Sequence, residues 1–502
     1  MVISPKMLKE KEIISSELEA YFVPFRENIV GIDQTFTSPY GEKKIIYTDW
    51  TASGRLYRPI EDKLLNTFGP YVANTHTETA VTGTTMTHAY HHARNIIKSH
   101  VNAGEDDILI TTGTGMTGAV NKFQRILGLK IPEQVKDQLT IKEEERPVVF
   151  VSHMEHHSNQ TSWLETIATV EVIPCNEIGL FCIENLEALL EKYKTREIKI
   201  ASITSCSNVT GIKTPYHGVA KMMHQHNGLC FVDFACSAPY IDIDMHPEDP
   251  QESLDAIFLS PHKFLGGPGS SGVLIFNKKL YNNLIPDCPG GGTVDWTTPW
   301  GTHKYIENIE EREDGGTPGF LQVIKTSLAI RLKEQMGVEN ILKREEELLD
   351  YVFTRLSEAP NITILAGEHK ERLGVISILI REMHHDLIVK MLNDRYGIQT
   401  RGGCSCAGTY GHYLLGIDHD ESDKIIYTMS QGNLLMKPGW VRFSIHPTTS
   451  NEEIKYVCDS LIELASKCEE WSKDYEFHQG KFTHRDEAKE PYTPLSEDWF
   501  DL

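Results

Sequence analysis

From residue 147 to residue 276 short apolar runs alternate with helix-patterned stretches, and that alternation leaves the chain few folds to adopt. Apolar runs of strand length stand at Pro147–Val151, Val170–Pro174, Ile198–Thr204, Leu229–Val232, Ala256–Leu259 and Val273–Phe276. Glu184–Tyr193 and Tyr216–His226, which fall between them, carry apolar residues at helical spacing. Parallel strands need crossovers long enough to hold a helix, and the helices then cover both faces of the sheet. An α/β protein is therefore expected, with a mostly parallel sheet sandwiched by helices and ligands bound at the carboxyl ends of its strands. Asp107–Thr111 adds a strand, and Ala89–Val101 has helical spacing.

At 502 residues the chain is long enough for two or three cores. From Phe320 the pattern changes to long helices, then strands at Asn361–Leu365 and Gly374–Ile380 and a helix near Asp386–Tyr396. Four parts are expected: a charged amphipathic helix (Leu8–Phe22) within residues 1–30 packed on the body, a large domain over 31–319, a smaller α+β domain over 320–471, and a polar tail over 472–502, peripheral or disordered. Leu129–Glu145 is polar and reads as a surface insertion.

The net charge of −22 disfavours nucleic acid or an anionic membrane as partner, and equally suits solubility or a basic protein partner. No apolar run reaches membrane-spanning length. The opening MVISPKMLKEKEII lacks the apolar core of a signal peptide. Ten cysteines without secretory signals suggest reduced thiols in a cytoplasmic setting, and their spacing gives no four-ligand zinc site; no metal is expected.

Asp255–Phe276 reads strand, lysine, glycine turn, strand, centred on Ser260-Pro261-His262-Lys263. A lysine at the end of a buried strand suits attack on a carbonyl to form a Schiff base, because desolvation and nearby cations lower its pKa; a lysine on a solvated turn has the same local pattern. Upstream, Leu229–Val232 ends in Asp233. A strand ending in an acid, then one ending in a lysine, suits pyridoxal phosphate (PLP): the carboxylate holds the pyridine nitrogen protonated and the lysine carries the aldehyde. An ordinary loop acid remains the alternative for Asp233. Thr112–Gly118, TGTGMTG, opens a helix whose N-terminal N–H groups, with Thr114, Gly115 and Met116, suit a phosphate, though a plain helix cap looks alike. The cluster HMEHHSN after Val151 suits either a metal site or ring chemistry.

These motifs, in this order, resemble the class V aminotransferase family of fold-type I PLP enzymes, and within it the cysteine desulfurase and selenocysteine lyase group. The resemblance runs from about Tyr47 to about Leu464 and includes YTDWTAS at Tyr47–Ser53, Asn74-Thr75-His76, Ser207-Asn208-Val209, EDGGTPG at Glu313–Gly319 and RGGCSCA at Arg401–Ala407. It implies that His156 stacks on the pyridine ring, Asn208 contacts the ring hydroxyl, and Ser260 and His262 bind phosphate beside Lys263. It further implies that Thr317 reaches the phosphate of a neighbouring subunit, hence a homodimer. Cys406 falls at the nucleophile position, and Arg442 in Trp440–Ser444 at the position that binds a substrate carboxylate, with Arg401 and His76 near the substrate. The sequence departs from the family at Thr77, where an arginine is usual, at Cys236, where a glutamine is usual, at the added thiol Cys404, and in an extra segment over 408–437.

The implied function is a PLP-dependent cysteine desulfurase acting on a small amino acid. It yields alanine and a Cys406 persulfide on a glycine-loosened loop, and hands sulfur to an acceptor protein. Another class V reaction is the alternative: aminotransferase, epimerase, C–S lyase or selenocysteine lyase.

Overall fold

The computed structural model describes residues 17–75, 77–136, 138–486 and 497–501. Among the described residues a seven-stranded sheet forms the centre. In chain order its strands are β1 (Asp107–Thr112), β2 (Val148–Ser152), β3 (Thr169–Ile173), β4 (Lys199–Thr204), β5 (Leu229–Asp233), β6 (Ala256–Leu259) and β7 (Gly272–Asn277). Their spatial order is β1-β7-β6-β5-β4-β2-β3. The pairs β3–β2, β2–β4, β4–β5 and β5–β6 are parallel, and β7 runs antiparallel to both its neighbours. Buried on both faces, β6 and the first four residues of β2 read as unbroken apolar runs rather than alternating ones.

The helices α1 (Glu17–Glu27), α2 (Val81–His100), α3 (Met116–Ile126), α4 (His157–Leu164), α5 (Ile183–Lys192) and α6 (Tyr216–Gln225) surround this sheet. Two apolar cores flank it, one holding Ile203, Val232, Ile257 and Ile275, the other Phe123, Phe231, Phe258 and Phe276. Neighbouring residues of one strand enter opposite cores, as the two-residue period of a strand requires.

Three expectations differ from what is seen. The N-terminal helix is α1, running five residues past Phe22, which is fully buried; residues 8–16 of the expected helix lie outside the described ones. The helix α7 (Phe320–Met336), grouped by sequence with the second unit, packs on α2 and buries Val323, Ile324 and Ile330 in the first core. The tail is not simply peripheral. Strands β12 (Tyr475–His478) and β13 (Lys481–His484) form a hairpin, and Tyr475 enters the second unit's core.

That second unit has an antiparallel sheet ordered β8-β9-β11-β10, built from β8 (Ile362–Ile364), β9 (Val375–Ile380), β10 (Arg401–Gly403) and β11 (Trp440–Ser444). It is covered by α8 (Val338–Leu356), α9 (His385–Tyr396) and α12 (Asn451–Trp471). A Ser450/Glu453 capping box starts α12, satisfying two of its orphan N–H groups. The extra segment folds as α10 (Gly408–Leu415) and α11 (His419–Ser430).

Candidate active site

A cavity of about 280 Å³ lies at the carboxyl ends of the parallel strands, where the second unit closes over the sheet. Asp233 ends β5, and Lys263 follows β6 in a single 3-10 turn that starts at Pro261. Gly54 donates its N–H to His262 O at 2.9 Å and fixes that turn. Lys263 and Asp233 both line the cavity. Burial pushes the Lys263 ammonium down, as a lysine nucleophile requires, while Cys236 and Asp233 oppose the shift. Burial also lifts the Asp233 carboxyl to about 6, against one N–H from Ala235 at 2.8 Å.

His156 caps α4: its Nδ1 accepts the Ser158 N–H at 3.1 Å, which leaves the ring proton on Nε2. Burial, then Lys263, lowers this imidazole to about 3, so the ring in the cavity is neutral. The three histidines of the HMEHHSN cluster do not converge. His153 Nε2 meets Gly179 O at 3.1 Å, and His157 Nε2 accepts the Gly408 N–H at 2.9 Å.

The phosphate-type end is the turn before α3. Thr114, Gly115, Met116, Ser260 and His262 converge there. Met116 donates its N–H to Ser260 Oγ at 2.9 Å. A Cβ on Gly115 would stand 3.1 Å from Ser260 Oγ and 3.4 Å from His262 Nε2, so the missing side chain leaves a hollow. Burial, with Lys263 beside it, lowers His262 to about 4.

The opposite wall comes from the second unit. Arg442 on β11 is buried; its Nη1 donates to Asn208 O at 3.0 Å and its Nη2 pairs with Asp49 at 2.8 Å. Arg401 on β10 meets the other oxygen of Asp49 at 3.0 Å, so one carboxylate clamps both arginines. Cys406 also lines the cavity. Its loop is fixed rather than loosened by its glycines. Ser405 O accepts from Asn208 Nδ2 at 2.7 Å, Cys406 O accepts the His157 N–H at 2.7 Å, and Trp440 Nε1 donates to Ser405 Oγ at 3.2 Å. Ser405 and Cys406 both take the left-handed conformation, with φ of 52° and 56°, and these bonds hold it.

Of the candidate residues, Lys263, Asp233, His156, Asn208, Ser260, His262, Thr114, Gly115, Met116, Arg401, Arg442 and Cys406 meet around this one cavity. Thr317 does not: it is exposed on another loop. His76 lies outside the described residues. Sequence reasoning missed Asp49, although it sits inside YTDWTAS, and missed Glu155. Glu155 accepts from Ser152, Thr204 and Asn159, yet burial raises it to about 8.

A sheet of this order with lysine and aspartate at neighbouring strand ends defines the class of fold-type I PLP enzymes. The aminotransferase class-V family model matches residues 46–457, and the chain belongs to that family, as a PLP-dependent enzyme. The chain is 28% identical over 369 residues to a probable cysteine desulfurase of Halalkalibacterium halodurans, spanning 72% of this chain and 84% of that protein. It is 28% identical over 371 residues to one of Staphylococcus aureus strain Mu50, spanning 73% and 84%. Among solved structures, a cysteine desulfurase of Thermococcus onnurineus NA1 superposes with a TM-score of 0.68 at 22% identity, covering 84% of this chain and 95% of that one. The cysteine desulfurase CsdA of Escherichia coli does so with 0.68 at 20% identity, covering 89% and 98%. At these structural identities the likeness is one of fold. No described helix is long and apolar enough to cross a membrane.

The residues fit PLP. Asn208 Oδ1 and Arg442 Nε are buried with no partner among the described residues, the Gly115 hollow stands at a helix N-terminus, and the volume suits one substituted ring.

Proposed function

We propose that this chain is a cysteine desulfurase that takes sulfur from L-cysteine onto Cys406 and releases alanine. One observation carries the proposal: Cys406 lines the same cavity as Lys263, Asp233, His156 and Arg442, on a loop hydrogen-bonded in place. Ser260, His262 and the first turn of α3 would hold the phosphate, Asp233 the pyridine nitrogen, Asn208 the ring oxygen, and His156 the ring face. Bound there, PLP supplies an aldehyde that condenses with amines and a protonated ring that withdraws electrons from the substrate Cα.

Arg442, oriented by Asp49 and Asn208 O, binds the substrate carboxylate and fixes its torsion. Lys263, whose charged form burial disfavours, takes the Cα proton at Nζ and returns a proton to the carbon skeleton after sulfur has left. Cys406 Sγ attacks the substrate sulfur as a thiolate. The Sγ–S bond forms as the C–S bond breaks, and Cys406 becomes a persulfide. Arg401, held by Asp49, lines the same cavity as Cys406. His156, neutral and engaged at Nδ1, presents its flat face and the Nε2 proton.

The proposal extends to a homodimer with a shared phosphate site at Thr317, a sulfur-acceptor protein and a cytoplasmic setting. The test is an amino-acid panel on the purified protein, scoring sulfide, alanine and keto acid separately. Alanine with sulfur on Cys406 is expected from cysteine; keto acid, or sulfide without a Cys406 adduct, would move the chain to the aminotransferase or C–S lyase reaction. Cys236 is the residue that keeps a second class V reaction in view, because it stands in the cavity three residues after Asp233.

A further inference from the structure

Two thiols outside the desulfurase chemistry face the cavity, Cys206 and Cys236. They meet because β4 and β5 are parallel neighbours with Thr204 in register with Asp233. The chain leaves both strands side by side, and the two loops are sewn together. The Ser205 N–H donates to Asp233 O at 2.9 Å, Ser205 Oγ donates to the same oxygen at 3.0 Å, and Ser205 Oγ lies 2.6 Å from Ser237 Oγ. With Ser205 held against Ser237, the next residue of each loop, moving inward, is Cys206 or Cys236. Both thiols point at one carbonyl oxygen, Ser207 O, from 3.6 and 3.7 Å. Both lie in the loops just past the strand ends, and the Cys206 side chain hydrogen-bonds the Cys236 thiol, so the two sulfurs are neighbours. Cys206 is fully buried, and Cys236 keeps an exposed edge toward the cavity.

We infer that Cys206 and Cys236 form a peroxide-sensitive dithiol that closes to a disulfide and loosens the cofactor. Cys236 Sγ attacks a peroxide oxygen, the O–O bond breaks, and Cys236 becomes a sulfenic acid as one water leaves. Cys206 Sγ then attacks that sulfur and displaces the second water. Two thiols are oxidised to one disulfide and one hydrogen peroxide is reduced to two waters. The hydrogen bond from Cys206, then burial against it, leaves the Cys236 thiol below its ordinary value, which suits it to strike first. The closure reaches the site through short links: Asn208 is two residues past Cys206 and donates to Ser405 O at 2.7 Å, and Asp233 is three residues before Cys236.

The disulfide stands independently of the desulfurase reading, whereas its effect rests on the cavity holding PLP; the two are read separately. The full-chain holoenzyme carrying Cys404→Ser and Cys406→Ser, which removes the remaining cavity thiol and its loop neighbour, is treated with hydrogen peroxide and quenched with N-ethylmaleimide. It is then digested without reductant. The Cys206 peptide should be joined to the Cys236 peptide at two hydrogens below their summed mass, with fragmentation separating Cys236 from Cys230. PLP retained through gel filtration should fall at least threefold and recover with dithiothreitol, and adding Cys206→Ser should abolish both changes. Maleimide on both Cys206 and Cys236 after peroxide overturns the pair. The cross-link with unchanged retention overturns its control of the cofactor.

Discussion

Cys406 and Asp49 carry separable parts of the proposed reaction. Cys406→Ser should keep the borohydride-reducible adduct on Lys263, read by mass spectrometry, yet form no persulfide, because a hydroxyl is a poor sulfur acceptor. Cys404→Ser should do less; undiminished cysteine turnover by Cys406→Ser would sink the nucleophile assignment. Asp49→Asn leaves Arg401 and Arg442 without their shared counter-charge, so the arginines lose their fixed geometry. A charge-assisted hydrogen bond contributes about 1.5–3 kcal/mol, so KM for cysteine should rise roughly ten- to a hundredfold with a smaller change in kcat. An unchanged KM would place the carboxylate site elsewhere. Lys263 and Asp233 were legible in the sequence because each follows an apolar run at a strand end. Asp49 was not, because its partner Arg442 lies 393 residues away and nothing local marks the pair.

At the scale of elements, α8 carries a buried acid that reports on pH. Glu345 receives one long contact from Gly374 N–H, at 3.4 Å, and burial raises it from 4.5 to about 8. Between those values the folded chain keeps a proton that the unfolded chain has released. Its stabilising effect is therefore complete below the lower value and is lost as pH rises through the upper one. Glu155, after β2, acts in the same direction. The Tm should fall from about pH 4.5 to about pH 8, and Glu345→Gln should flatten that slope; parallel slopes for the two proteins would refute the assignment. The parallel strands were legible from their apolar runs, since burial on both faces erases any other pattern. The β12–β13 hairpin was not, because Tyr475 and Phe482 are sparse among polar neighbours and find their core only in three dimensions. The sequence of α7 marked a long helix but not the body it packs on, because its buried residues run all round it.

At the scale of the whole molecule, one chain leaves apolar surface and one expected phosphate ligand outside its own cavity. Leu284, Trp296 and Trp300 are 83%, 68% and 86% exposed. Large aromatics left this bare are uncommon on a monomer and typical of interface centres. The same region leads to Thr317: Gly316 N–H donates to Gly291 O at 2.8 Å and Ile306 N–H to Thr293 O at 3.0 Å, which ties the Trp-bearing hairpin to the threonine loop. A second copy covering the tryptophans would therefore carry Thr317 with it toward a neighbouring site. The purified chain should sediment as a dimer, and Trp296→Ser with Trp300→Ser should shift it toward monomer while weakening PLP retention. Thr317→Ala should weaken PLP retention alone, with the dimer and the Tm intact, because its hydroxyl has no partner within its own cavity to lose. A monomer that holds PLP and turns over cysteine at full rate would show that each chain completes its site unaided.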